Sequence, residues 1–103
     1  MSTPEGKVKI RVKAWLKKHK IPNWSIIPSA FGGSTGMCDI CAITKDGKWL
    51  GLELKAEGKK SNVTANQQAF IDTLNSNGGR AFVVSCDEDL AEVELILRHH
   101  ELI

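Results

Sequence analysis

Three charged residues, Asp39, Glu53 and Lys55, are spaced so that they can meet on one surface. Glu53 and Lys55 are two positions apart in a segment with the composition of a strand, and alternate side chains of a strand share a face. Asp39 lies in the segment before it, and Asp46-Gly47 between the two is a typical hairpin turn. A register that sets Asp39 beside Glu53 presents two carboxylates and one ammonium group together.

Two adjacent carboxylates repel each other, and a hard divalent cation relieves that repulsion. Mg²⁺ favours one or two carboxylates, with water and substrate phosphate as its remaining ligands. Such a cation polarises a phosphate and lowers the pKa of a bound water. Lys55 would orient or deprotonate that water, or offset developing charge. The alternative is an exposed cross-strand charge pattern, and Glu-x-Lys alone does not decide between the two.

The elements that position these residues follow from hydrophobic spacing and turn residues. Val8, Val12, Trp15 and Leu16 recur at helical intervals after Pro4. The predicted elements are a helix at 5–19, hairpin strands at 37–44 and 48–55, a helix at 64–75 ended by Gly78-Gly79, a strand at 81–85, and a last helix capped by Asp87. This order predicts an α/β or α+β fold with a mixed sheet, in one domain spanning 1–103.

Composition favours a single globular domain, and the charge distribution is compatible with an anionic partner. The 103 residues are 42% hydrophobic and 25% charged. Residues 1–20 hold six lysines and one arginine against one acid, whereas 87–103 hold six acids against one arginine. A basic end suits nucleic acid, although a solvated helix face is equally compatible. With no apolar run long enough to span a bilayer and no signal peptide, we expect a cytoplasmic location and no membrane contact.

The motifs of the sequence resemble those of a known nuclease family. Gly36-Met37-Cys38-Asp39, a hairpin and Glu53-Leu54-Lys55 are similar to the PD-(D/E)XK signature, with Cys38 in place of its variable proline. Thr64-Ala65-Asn66-Gln67 and the segments up to about Leu97 resemble the VRR-NUC (virus-type replication-repair nuclease) branch. The resemblance implies a restriction-endonuclease-like αβββαβ core and a Mg²⁺- or Mn²⁺-dependent phosphodiesterase.

The resemblance also implies roles for five residues. Asp39 and Glu53 would bind the metal, Lys55 would be the catalytic lysine, and Gln67 would be the glutamine of the following helix. Glu5 would add a third metal ligand from the first helix, and its spacing to Val8 and Val12 predicts an inward position. Two alternatives stay open: Glu5 as an acid that favours a helix N-terminus, and Gln67 as part of a Thr64-x-x-Gln67 capping box.

The expected substrate is structured or branched DNA. The resemblance implies that minimal members act as homodimers on branched DNA, including four-way (Holliday) junctions, and Ile10, Leu102 and Ile103 are candidate interface residues. No nucleotide cofactor is expected, because the glycine loop at 32–36 lacks a P-loop ending. The basic side chains predicted to hold phosphates without sequence preference are Arg11, Lys13, Lys17, Lys18, Lys59 and Lys60.

Several rival interpretations remain. The same fold is compatible with a restriction-type or an RNA-cleaving nuclease, and a non-catalytic nucleic-acid-binding module would need no metal. A zinc or thiol-redox domain is disfavoured, because Cys38 and Cys41 would point to opposite faces of one strand. Trp15, Trp24 and Trp49 are interpreted as core or interface residues, although an exposed tryptophan could stack on an unpaired base.

Overall fold

The computed structural model describes residues 3–26 and 37–103, which contain both helices and strands. The elements in chain order are α1 (Pro4–Lys18), β1 (Asn23–Ser25), β2 (Ile40–Ile43), β3 (Trp49–Leu54), α2 (Ala65–Ser76), β4 (Arg80–Val84) and α3 (Asp87–His99). The glycine loop at 32–36, which the sequence placed next to Asp39, lies outside the described residues.

The strands form a mixed sheet in the order β1-β2-β3-β4. The first three strands are antiparallel, and β4 is parallel to β3 because α2 carries the chain back between them. This arrangement confirms the predicted α+β class with a mixed sheet flanked by helices. Asp46-Gly47 forms the predicted turn between β2 and β3, with Gly47 at φ +84°.

Because side chains alternate along β3, the protein has two separate hydrophobic clusters, one on each face of the sheet. Leu50, Leu52 and Leu54 are buried in the larger core, to which α1 contributes Val8, Val12 and Leu16 and α3 contributes Leu90, Val93 and Leu97. Gly51 and Glu53 point to the opposite face, where Ile71 and Leu74 of α2 pack in a smaller cluster. The candidate site therefore lies on the α2 side of the sheet.

Each of the three helices in the described part of the chain ends in the same backbone motif. A residue with positive φ follows each C-cap, and the next N–H bonds back to a carbonyl in the last turn. Gly78 (φ +87°) has this role after α2, as the sequence predicted. Lys20 (φ +56°) and Glu101 (φ +57°) have it after α1 and α3, where neither residue type indicated it.

The structure corrects three details of the sequence interpretation. The strand predicted at 37–44 corresponds to β2, which begins only at Ile40 because the chain bends at Asp39. Asp87 does not cap α3: the N-cap is Cys86, and Asp89 accepts hydrogen bonds from the backbone N–H and hydroxyl of Ser85 instead. Leu102, proposed for an interface, is 8% exposed and belongs to the larger core.

Among the described residues, every helix is too short or too polar to cross a bilayer.

Candidate active site

Asp39 is held at the edge of the hairpin by two backbone groups. Its carbonyl accepts a hydrogen bond from Ile26 N–H at 2.8 Å, which continues the β1–β2 pairing by one position. Its carboxylate Oδ2 accepts a hydrogen bond from Leu54 N–H at 2.8 Å. The carboxyl group is thereby fixed against the β3 backbone next to Glu53, so the hairpin has the register that brings the two acids together.

Glu53 is a carboxyl group with almost no access to water, since the residue is 2% exposed. Oε1 accepts a hydrogen bond from Gln67 Nε2 at 3.1 Å. Oε2 is buried and has no hydrogen-bond partner among the described residues. Burying a carboxylate oxygen without a hydrogen-bond partner is unfavourable in free energy, and a proton or a bound cation would offset that cost.

The surroundings of Glu53 raise its pKa to about 8. Burial is the largest cause, followed by the adjacent Asp39 carboxyl group, whose negative charge disfavours a second charge on Glu53. The charge of Lys55 lowers the pKa in part, and the charge of Glu5 raises it slightly. A buried glutamate whose ionisation is disfavoured beside a second carboxyl group is the electrostatic condition that a divalent cation would relieve.

Lys55 extends the site along the same face of β3. Its side chain is 14% exposed, and Nζ lies 4.0 Å from Glu53 Oε1. Nζ also donates a hydrogen bond to Gln67 Oε1 at 3.0 Å. The ammonium group is thus held beside the carboxyl pair rather than extended into solvent.

Gln67 forms the predicted capping box and also contacts two other candidate site residues. Its Oε1 accepts a hydrogen bond from Thr64 N–H at 2.9 Å, and Gln67 N–H donates to Thr64 Oγ1 at 3.1 Å, which completes the capping box. The same Oε1 accepts from Lys55, while Nε2 donates to Glu53. Because donors surround Oε1 and an acceptor faces Nε2, only one orientation of the amide satisfies the network.

Glu5 is exposed in the first turn of α1 rather than buried on its inward stripe. The charge of Glu5 contributes to the raised pKa of Glu53. Within 3–26 and 37–103, however, no three His, Cys, Asp or Glu side chains are close enough together to hold one ion. The described residues therefore bring together Asp39, Glu53, Lys55 and Gln67, and they leave Glu5 at the margin. Two carboxylates still fit Mg²⁺, which commonly retains several water ligands.

The basic residues predicted to hold phosphates are distributed over the surface. Lys17 and Lys18 are in the last turn of α1, about 18 Å along the helix from Glu5. Lys59 is exposed in the loop after β3. The remaining three already have polar partners: Arg11 Nη1 is 3.6 Å from Asp87, Lys13 donates to Asn23, and Lys60 donates to Asp89.

Cys38 lies beside the site, and its position contradicts the sequence argument about the faces to which Cys38 and Cys41 point. Because the chain bends at Asp39, Cys38 is outside β2 and packs on the α2 side, where a Cβ on Gly51 would meet its Sγ at 2.9 Å. The argument that Cys38 and Cys41 point to opposite faces was therefore wrong. Burial, followed by the charges of Glu53 and Asp39, raises the pKa of Cys38 to about 12. That environment disfavours the thiolate that zinc or redox chemistry needs.

One contributor was missed at the sequence level. The Leu54 N–H that fixes Asp39 is a backbone group, so no residue type indicates it. Thr64, which the sequence predicted as part of a capping box, reaches the site only through Gln67. Comparisons with protein-family models, curated proteins and solved structures found no match to this chain.

Proposed function

We propose that the protein is a Mg²⁺- or Mn²⁺-dependent endonuclease that hydrolyses phosphodiester bonds in structured DNA. The observation that carries the proposal is the buried Oε2 of Glu53, which has no hydrogen-bond partner among the described residues, in a side chain next to the Asp39 carboxyl group. Asp39 and Glu53 would hold the cation. The similarity of the Asp39, Glu53-Leu54-Lys55 and Gln67 pattern to VRR-NUC nucleases supports the same activity.

A bound cation would supply positive charge to the scissile phosphate and to an attacking water. The protein's own part is to hold the two carboxyl groups in place: Leu54 N–H fixes one and Gln67 Nε2 fixes the other. With Oδ2 fixed by this hydrogen bond, the Asp39 carboxylate would present a preorganised ligand to the cation. Fixed ligands avoid part of the ordering cost when the ion binds.

Lys55 would act next to the phosphate. Its Nζ is a charged donor within 4.0 Å of the carboxyl pair, and Gln67 Oε1 restrains its direction. A positioned ammonium group stabilises the negative charge that develops on the phosphoryl oxygens, or takes part in proton transfer from water. Both roles require the geometry that the Gln67 hydrogen bond imposes.

The proposed substrate is branched DNA, including four-way junctions, bound by a homodimer. Exposed Lys17, Lys18 and Lys59 would contact backbone phosphates, and affinity would fall as salt concentration rises. Ile10, 61% exposed on α1, remains a candidate interface residue. Two-fold symmetry would place one site on each of two opposed strands.

A cleavage panel tests this proposal. Linear duplex, flap, four-way junction and single-stranded DNA, with matched RNA substrates, are incubated with the protein in Mg²⁺, Mn²⁺ or EDTA. We expect metal-dependent cleavage that is greatest on a branched DNA and is lost in Glu53→Gln. Glu57→Gln, an exposed acid in the following loop, is the matched control and should cleave normally.

The same panel separates the rival functions. Cleavage of RNA in preference to DNA, or of linear duplex at fixed sequences, would replace the branched-DNA substrate with another on the same site. Binding without any cleavage in either metal would leave a non-catalytic nucleic-acid-binding module. Cleavage that persists in Glu53→Gln would remove the carboxyl pair from the mechanism.

A further inference from the structure

Trp24 is an exposed aromatic residue on the same sheet face as the candidate site. It pairs with Cys41, and Cys41 pairs with Gly51 of β3. Cross-strand partners point to one side of a sheet, and residues two apart on a strand share a face. The Trp24 side chain therefore lies on the face that carries Glu53.

Trp24 is also close to the carboxyl pair along the sheet. Because Ile26 N–H bonds to the Asp39 carbonyl, Ile26 is the cross-strand neighbour of Asp39, and Trp24 precedes Ile26 by two positions. Diagonal neighbours in an antiparallel pair are about 7–8 Å apart. That separation is within the reach of a single nucleotide, so one phosphate at Asp39 allows the adjoining base to reach Trp24.

The indole of Trp24 is available for such a contact. The residue is 53% exposed, because α2 packs against β3 and β4 whereas Trp24 is on the outermost strand, β1. Trp49 on the same face differs, since it is 39% exposed and its ring packs edge-on against Phe70 with centroids 5.8 Å apart. A single exposed tryptophan is common on protein surfaces and is not by itself evidence of a binding site. Trp24, however, adjoins the site proposed to hold a phosphodiester, and this indicates that its ligand is part of the same nucleic acid.

We infer that Trp24 stacks on the unpaired base of a nucleotide next to the scissile phosphate. The substrate class is accordingly a nucleic acid with at least one unpaired nucleotide at the cleavage point, such as the edge of a flap or a junction. Inside a duplex both faces of each base are covered by neighbouring bases, so a paired base has no face to offer. This inference rests on the proposed function, because the site supplies the phosphate position.

The test measures binding of short oligothymidylate to the full chain in EDTA, where no cleavage occurs. Base stacking on an aromatic side chain predicts that Trp24→Leu weakens binding by roughly 5- to 150-fold. Trp24→Phe keeps a flat ring and should retain most of the affinity. Leu95→Ala, which removes a residue 75% exposed on α3, is the control and should bind normally. Binding of a blunt duplex should change less than twofold in every variant.

Two results with Trp24→Leu would overturn the inference. One is equal oligothymidylate affinity in Trp24→Leu and the unchanged protein. The other is a dimer that Trp24→Leu converts to monomer in analytical ultracentrifugation, because the face would then be a contact with a second copy of the chain. Thermal unfolding of Trp24→Leu checks that the variant is folded, which an exposed position favours.

The experiments can distinguish a failure of the stacking inference from a failure of the proposed nuclease function. Loss of oligothymidylate binding in Trp24→Leu supports stacking even if no substrate is cleaved. Metal-dependent cleavage that depends on Glu53 but is equal on substrates with and without an unpaired nucleotide supports the nuclease and overturns the stacking.

Discussion

Gln67 Nε2 donates a hydrogen bond to Glu53 Oε1 at 3.1 Å, so a helix-capping residue also orients a buried carboxyl group. The opposite end of the same amide accepts from Thr64 N–H and Lys55 Nζ. The start of α2 and the geometry of the candidate site are thereby coupled through one side chain. Substitutions at the two capping-box positions should have different consequences.

Gln67→Ala is expected to lower metal-dependent cleavage by roughly 10- to 100-fold, the usual effect of removing a hydrogen bond that orients a ligand. Thr64→Ala removes one cap hydrogen bond and should cost about 1 kcal/mol in the free energy of unfolding. Its effect on cleavage should be smaller, because the Gln67 contacts with Glu53 and Lys55 remain. Urea unfolding and single-turnover cleavage measure the two effects. Equal cleavage losses in both variants would contradict a direct role for Gln67.

Glu53 should make the metal-free protein less stable as pH rises. Its pKa is about 8 in the folded protein against an ordinary 4.5, because of burial and the neighbouring Asp39. The folded state therefore binds the proton more tightly than the unfolded state does. The stability this provides is fully present below pH 4.5 and is lost as pH rises through about 8.

Thermal unfolding in EDTA from pH 5 to pH 9 measures this dependence. Glu53→Gln should flatten the curve, whereas the exposed Glu57→Gln should leave it unchanged. Mg²⁺ should raise the melting temperature more at high pH than at low pH, because proton and cation compete for the carboxyl pair. A Mg²⁺ effect that is independent of pH would argue against a cation at Glu53.

Local patterns predicted most of the helices and strands, because the hydrophobic spacing of α1 and the turn at Asp46-Gly47 act over a few residues. The same turn set the register that brings Asp39 to Glu53. Features that depend on tertiary contacts were not predictable. The bend at Asp39 moves Cys38 to the α2 side, and strand alternation alone gave the wrong face. The sequence around Gln67 matched both a capping box and a side chain facing the sheet. Only the folded protein shows that one amide group makes the hydrogen bonds of both arrangements.

Asp89 is expected to stabilise the protein at neutral pH. Burial alone raises its pKa, but hydrogen bonds from Lys60 and Ser85 outweigh burial and lower the pKa to about 2 from 3.8. The contribution is present above pH 3.8 and is lost as pH falls through about 2. Asp89→Asn should cost about 2 kcal/mol at pH 7, measured by urea unfolding.

Asp87→Asn is the matched control for Asp89, since both acids are in the first turn of α3. The ion pair between Asp87 and Arg11 is largely exposed, so its loss should cost less than about 1 kcal/mol. Equal losses in the two variants would mean that the helix dipole, and not the Lys60 and Ser85 contacts, provides the stability.

Lys20 occupies a backbone position that favours glycine, and its replacement should stabilise the protein. The residue has φ +56° where α1 ends, and Ile21 N–H bonds back to Leu16 at 2.9 Å. A left-handed conformation costs a residue with a Cβ about 1 kcal/mol, and the greater flexibility of glycine in the unfolded chain offsets part of the gain. Lys20→Gly should therefore raise the free energy of unfolding by about 0.5 kcal/mol. Lys18→Gly, inside the last turn of the helix, should lower it by about 1 kcal/mol. Because Lys20 is exposed, only the backbone changes, and a loss of stability in Lys20→Gly would contradict the left-handed helix end.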